Sequence, residues 1–231
     1  MDNKQFENMW KTFHSYLDEN IESISQILMS NAHEHSAMDA FKHMSSIITL
    51  WGNDDNFKLW TLSKEAGSKL IAEIAACIKD TIYINAHMLK MYREIPIKQI
   101  HDKDKVQSFL TLDIEDNLSI VQAYKWLKDQ SFEILVEKAK EYSVDTDRFH
   151  NFKKASRYFG YSPQFFCVMF MIKHIVSLSD ILDGTIFPNF NIYVSKIVDI
   201  YNYLLLLIGI IVTNCDMAEE EYTELFKNIL S

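Results

Sequence analysis

Five glycines, three prolines and three cysteines are all that a chain of 231 residues contains of these types. Glycine and proline punctuate tight turns and interrupt helices, so their scarcity excludes a turn-rich all-β architecture and favours long helices. With so little glycine there is no P-loop, no glycine-rich dinucleotide loop and no G-x-S-x-G nucleophile elbow. Cys77, Cys167 and Cys215 are odd in number, distant in sequence and set among apolar neighbours. They read as core thiols in a reducing compartment rather than as a disulfide framework, and such settings raise a thiol pKa and disfavour a thiolate nucleophile. No basic, apolar leader opens the chain, so a cytoplasmic protein is expected. Basic residues are outnumbered by acidic ones, 23 to 32, and the formal charge of −9 disfavours general affinity for nucleic acid, which requires Lys and Arg to displace counterions.

What is present is apolar periodicity. Phe6, Met9, Trp10, Phe13, Leu17, Ile21, Ile24 and Leu28 step by three and four, predicting a helix over about 4–29 that Asp2 or Asn3 caps. Met38, Phe41, Met44 and Ile48 predict a second over about 34–50, closed by a GNDDN loop at 52–56. Residues 57–62 fit strand or helix, and 81–85 (TIYIN) are β-branched and aromatic inside a segment that otherwise reads as a helix from Ser63 to Arg93. Pro96 and the charged run at 101–105 mark the one candidate subdomain boundary, near 96–115. Asp116 or Asn117 caps the next helix, Gly160 closes a helix that opens near Asp147, and Ser162-Pro163 starts another that runs to about Leu182. Asn189 or Asn191 caps a helix over about 191–213, and Asp216 with Glu219 has the spacing of a capping box for the last.

The helix at 191–213 organises this reading. From Tyr203 to Val212 it is apolar on every side, as a helix buried by neighbours all round must be. Lys196, Asp199 and Asn202 interrupt it at three-residue spacing, and the unbroken apolar run is too short for a bilayer core of about 20 residues, so no membrane span is expected. The fold class is therefore all-α, a single-domain bundle of eight or nine helices around a buried central helix.

Two constellations could carry function. His33, His35, Asp39 and His43 are the densest group of metal-ligand types. On one helix only neighbouring pairs of them reach a common ion, so Zn or Fe would need further ligands, with Glu115, His150 and Asp180 as candidates. The second is Arg148–Phe159, the most basic stretch. On a helix His150, Lys153, Lys154 and Arg157, with Arg148 beside them, form a basic ridge opposite Phe149, Phe152, Ala155 and Phe159. His174 reads as a hydrogen-bonded core residue. Glu219, Glu220 and Glu221 give the surface of opposite sign. The expected function is a non-enzymatic protein-binding module, of the inhibitor, immunity-type antitoxin or adaptor kind, with no cofactor. It would engage a basic protein through the acidic surface or an acidic one through the ridge. The alternative is a metal-dependent helical enzyme built on the cluster at 33–43.

Overall fold

The stripe from Phe6 to Ile24 is buried along one helix, α1 (Asn3–Ser30). Its first turn is closed reciprocally: Gln5 donates its amide to the Asp2 carboxylate at 2.7 Å, and Asp2 donates to the Gln5 side chain at 2.8 Å. The structure, a computed structural model, describes residues 1–30, 36–94, 120–142, 147–186 and 190–231. The expected boundary near 96–115 and the expected caps Asp116, Asn117 and Asn189 lie outside the described residues.

Helix α2 (Ala37–Asn53) starts on a capping box in which Ser36 Oγ accepts from the Asp39 amide and the Asp39 carboxylate accepts from the Ser36 amide. The GNDDN segment is not the loop its composition suggests. Gly52 and Asn53 continue α2, and the chain breaks at Asp54 before a single-turn helix, α3 (Asp55–Lys58). The reason is tertiary: Phe57 is buried and stacks on Trp51 with centroids 5.7 Å apart, which draws the chain back against α2.

Helix α4 (Lys64–Glu94) runs straight through residues 81–85. Each of these five is buried; Thr81 donates to Cys77 O at 2.7 Å, and Asn85 donates to Ala123 O while accepting from the Tyr193 hydroxyl. Burial and satisfied hydrogen bonds outweigh an unfavourable helix propensity of under about 1 kcal/mol per residue. There follow α5 (Ile120–Tyr142), α6 (His150–Phe159), α7 (Pro163–Leu182), α8 (Phe190–Asn214) and α9 (Glu219–Leu230). Among the described residues this makes eight helices of at least two turns, the single-turn α3 and no strand. The fold is an all-α single domain.

Helix α8 packs against α1, α4, α5 and α7. Every residue from Leu207 to Val212 is buried. His14 on α1 is held from both ring nitrogens, by Trp10 O at 2.8 Å and the Tyr201 hydroxyl at 3.0 Å, and burial pushes its pKa down to about 3. Gly209 lets two rings in: a Cβ there would lie 2.7 Å from Phe149 Cζ and 3.0 Å from Phe6 Cδ2. The expected capping box at Asp216 and Glu219 is displaced by two residues. Asp216 is left-handed (φ 49°), Ala218 takes the cap position, and Glu221 accepts from the Ala218 amide at 2.8 Å.

Candidate functional site

The basic ridge is narrower than a helical wheel implies. Arg148 lies ahead of the first turn of α6 and turns inward. It is buried, its guanidinium donates to Leu135 O at 3.2 Å and sits 5.0 Å over the Phe6 ring, and desolvation pushes its pKa down to about 10. Lys153 is half-buried in an ion pair with Asp147 at 2.9 Å, His150 is half-buried, and Lys154 and Arg157 project into solvent. The keel is also shorter than expected. Phe149 and Phe152 are buried, but Phe159 is 69 % exposed.

Phe159 belongs instead to an aromatic surface shared by α6 and α7. Gly160, at φ 78°, ends α6 in the left-handed conformation that glycine adopts without strain. Ser162 then accepts from the Phe165 amide, donates to Phe57 O at 2.7 Å and places Pro163 at the first helical position. This tight connection sets Phe159 beside Phe166 (5.7 Å), Tyr161 beside Phe165 (4.6 Å) and Phe166 beside Phe170 (6.2 Å). Tyr158 is 73 % exposed, and Met169, Phe170, Ile172 and Val176 carry the exposed apolar surface along α7. Lys154, Arg157 and Lys173 supply the positive charge on the same two helices.

The expectation that no segment is long and apolar enough to span a membrane is corrected. Both α7 and α8 are, by length and composition. The unbroken run Tyr203–Val212 is only part of the apolar stretch, because isolated polar side chains such as Lys173 or Asp199 leave a membrane-length helix apolar on average. The two helices differ in how the fold covers them. The apolar window of α8 is 72 % buried inside the bundle, that of α7 only 39 %. With a membrane-length apolar pair present, the expectation of a merely basic protein partner is likewise not retained.

Beside the aromatic surface, α5, the turn before α6, α6, α7 and α8 line a half-open cavity of about 440 Å³. Phe152, Met169, Phe170, Tyr203, Leu135 and Leu206 form much of its wall, and Lys138, Arg148, Lys173, His174, Asp199 and Asn202 converge on it. Lys138 donates to Asp199 Oδ1 at 2.7 Å. The other carboxylate oxygen lies 3.4 Å from His174 Nδ1, out of line for a hydrogen bond, so among the described residues the buried His174 Nδ1 has no hydrogen-bond partner. Burial lowers the His174 pKa, and the Asp199 charge opposes that shift. Asn202 accepts from Ser131 Oγ at 2.5 Å, while its own Nδ2 is buried without an acceptor. His174 is thus a core residue, but not a hydrogen-bonded one at Nδ1. The signal for this site in the sequence is the polar pair Asp199 and Asn202 inside the most apolar helix; their convergence with His174 and Lys138 comes from the packing of separate helices.

Of the metal-ligand types, His33, His35 and Glu115 lie outside the described residues. Asp39 caps α2, and His43 Nδ1 pairs with Asp80 Oδ2 at 2.7 Å. Burial raises Asp80 to about 6 against the opposing pull of His43. Among the described residues no group of three or more His, Cys, Asp or Glu side chains could hold a metal ion. Glu219, Glu220 and Glu221 stand exposed in the first turn of α9, where Glu221 pairs with Lys64. Compared with known proteins, the chain matches no family model, no curated protein and no solved structure.

Proposed function

We propose that this chain is a non-enzymatic, cytoplasmic protein-binding module of the inhibitor, antitoxin or adaptor kind, and that the face formed by α6 and α7 receives an acidic, amphipathic helix of its partner. The observation that carries this reading is the apolar side of α7 that the described residues leave exposed. A helix with that much apolar surface in water is uncommon unless something covers it, and contiguous exposed apolar patches mark interaction sites. Aromatic rings such as Tyr158, Phe159 and Tyr161 are the side chains that anchor interfaces, while Lys154, Arg157 and Lys173 favour a segment with acidic residues on its flank. The free, buried thiols of Cys77, Cys167 and Cys215 agree with a reducing location.

The test is capture from the native source with wild-type chain and with Lys154→Glu/Arg157→Glu, followed by association kinetics with the purified captured protein. The double variant is expected to bind at least tenfold more slowly and with a weaker dependence on salt. Equal rates and equal salt dependence for the two chains would end the proposal. A parallel arm uses vesicles of mixed phosphatidylserine and phosphatidylcholine. Binding there by the wild type, lost in the double variant, would reassign the face to a membrane surface and overturn the protein-binding reading.

A further inference from the structure

The cavity between α5, α6, α7 and α8 carries an inference that does not rest on the docking face. Buried polar groups in folded proteins nearly always have partners, and an orphaned one calls for an explanation. Here two groups without a hydrogen-bond partner among the described residues, His174 Nδ1 and Asn202 Nδ2, belong to side chains lining the same space, and both residues are more than nine-tenths buried. A third anomaly joins them. Arg148 is 9 % exposed, and among the described residues its guanidinium meets a neutral carbonyl and a ring but no carboxylate. A buried cation without a countercharge is costly, and a bound anion would remove that cost.

The charges on the wall point the same way. Lys138, Arg148 and Lys173 face one acidic group, Asp199, which Lys138 already occupies at 2.7 Å. A chain of net charge −9 therefore carries a locally positive hollow. Apart from Asn151, His174 and Asn202, the remainder of the wall is mainly apolar and rich in rings. Phe152 lies 5.9 Å from Phe170 and 6.5 Å from Tyr203, and the His174 ring lies 5.7 Å from Tyr203. A volume of about 440 Å³ falls within the usual range of small-molecule sites, roughly 300–1,000 Å³.

We infer that this cavity is a binding site for a small aromatic carboxylate. The carboxylate accepts from the Arg148 guanidinium and Asn202 Nδ2 with Lys173 at the rim, and the aromatic body lies among Phe152, Phe170 and Tyr203. Charge-assisted bonds to a guanidinium select the anion, and the offset or edge-on packing that rings prefer selects a flat apolar body.

Calorimetric titration of the full chain with 2-naphthoate, and with the uncharged 2-naphthylmethanol as its isostere, tests the inference. One naphthoate is expected to bind per chain, at least tenfold more tightly than the alcohol. Arg148→Met is expected to abolish that preference. Because Arg148 is buried and its variant can lose the fold, Lys173→Glu, at an exposed rim position, is measured as well and is expected to weaken naphthoate at least fivefold with little effect on the alcohol. If naphthoate does not bind, or if it binds no better than the alcohol, ordered water satisfies the orphaned groups and the inference is wrong. Unchanged naphthoate affinity in a folded Lys173→Glu chain would overturn it equally.

Discussion

Replacing a helical glycine by alanine ordinarily stabilises a protein by up to about 1 kcal/mol, because glycine loses more backbone freedom on folding. Gly52 and Gly209 should therefore respond alike if only helix propensity matters. They should instead respond with opposite sign. At Gly52, near the end of α2, a new Cβ meets none of the described residues within 4 Å, so Gly52→Ala is expected to gain some part of that 1 kcal/mol. At Gly209 the same methyl would press on Phe149 at 2.7 Å and on Phe6 at 3.0 and 3.2 Å. Both rings are buried, and they hold each other edge to face at 5.9 Å, so neither retreats freely. Overpacking of this kind costs about 1–3 kcal/mol, and disturbing the ring pair adds about 0.5–1.5 kcal/mol. Set against a propensity gain of about 1 kcal/mol, Gly209→Ala should lose about 0.5–3.5 kcal/mol, which in a chain of this length lowers Tm by about 1–14 °C. Urea denaturation followed by far-ultraviolet circular dichroism measures both variants, and adding Phe149→Leu to Gly209→Ala should return about 1 kcal/mol relative to additivity. A Gly209→Ala chain as stable as the Gly52→Ala chain would refute the close approach of α8 to Phe6 and Phe149.

Two further outcomes follow from local chemistry. Ser162→Ala removes the cap of α7 and orphans Phe57 O together, and is expected to cost about 2 kcal/mol in the same assay; a loss below about 0.5 kcal/mol would contradict that double role. The pH dependence has two opposed parts. His14, held near 3 in the fold against about 6.5 when unfolded, contributes stability that is complete above pH 6.5 and is lost as pH falls towards 3. Asp80, raised to about 6, contributes in the other direction: its stabilisation is full below about pH 4 and is lost as pH rises through 6. Wild-type stability should accordingly be nearly level from pH 4 to 6 and fall steeply below 4, whereas Asp80→Asn should climb throughout that window. Parallel profiles for the two chains would show that Asp80 titrates normally.

Features written in a few adjacent residues were legible in the sequence. The stop at Gly160, the start at Ser162-Pro163 and the stripe of α1 depend on glycine's left-handed freedom, proline's fixed φ and a 3.6-residue period, all of which act locally. Where a distant partner decides, local reasoning failed or stalled. Trp51 and Phe57 close up the GNDDN segment through a stack across α2 and α3, and Ala123 and Tyr193 satisfy Asn85 inside α4. The candidate site divides in the same way. Lys154 and Arg157 are exposed as the wheel for α6 implies, but Arg148 precedes the helix, so the wheel does not apply to it. The cavity takes its wall from four helices, and no single stretch of sequence contains it. That α7 is apolar could be read from composition; that the described residues leave one side of it exposed could not.

The bond between His14 and Tyr201 joins residues 187 positions apart, and it belongs to the packing of α8 against α1. A ribosome adding about 5–20 residues per second needs on the order of 10–40 s to pass from the first of these residues to the second. As α1, α4 and α5 are made in turn, the faces that α8 will cover lack that lining until it follows, and the nascent chain presents His14 and Asn85 without their tyrosine partners. The helix that completes the interior is thus among the last to be made, so this chain has an extended vulnerable period on the ribosome, and any product that stops short of α8 is a substrate for chaperones or proteases rather than a smaller folded protein.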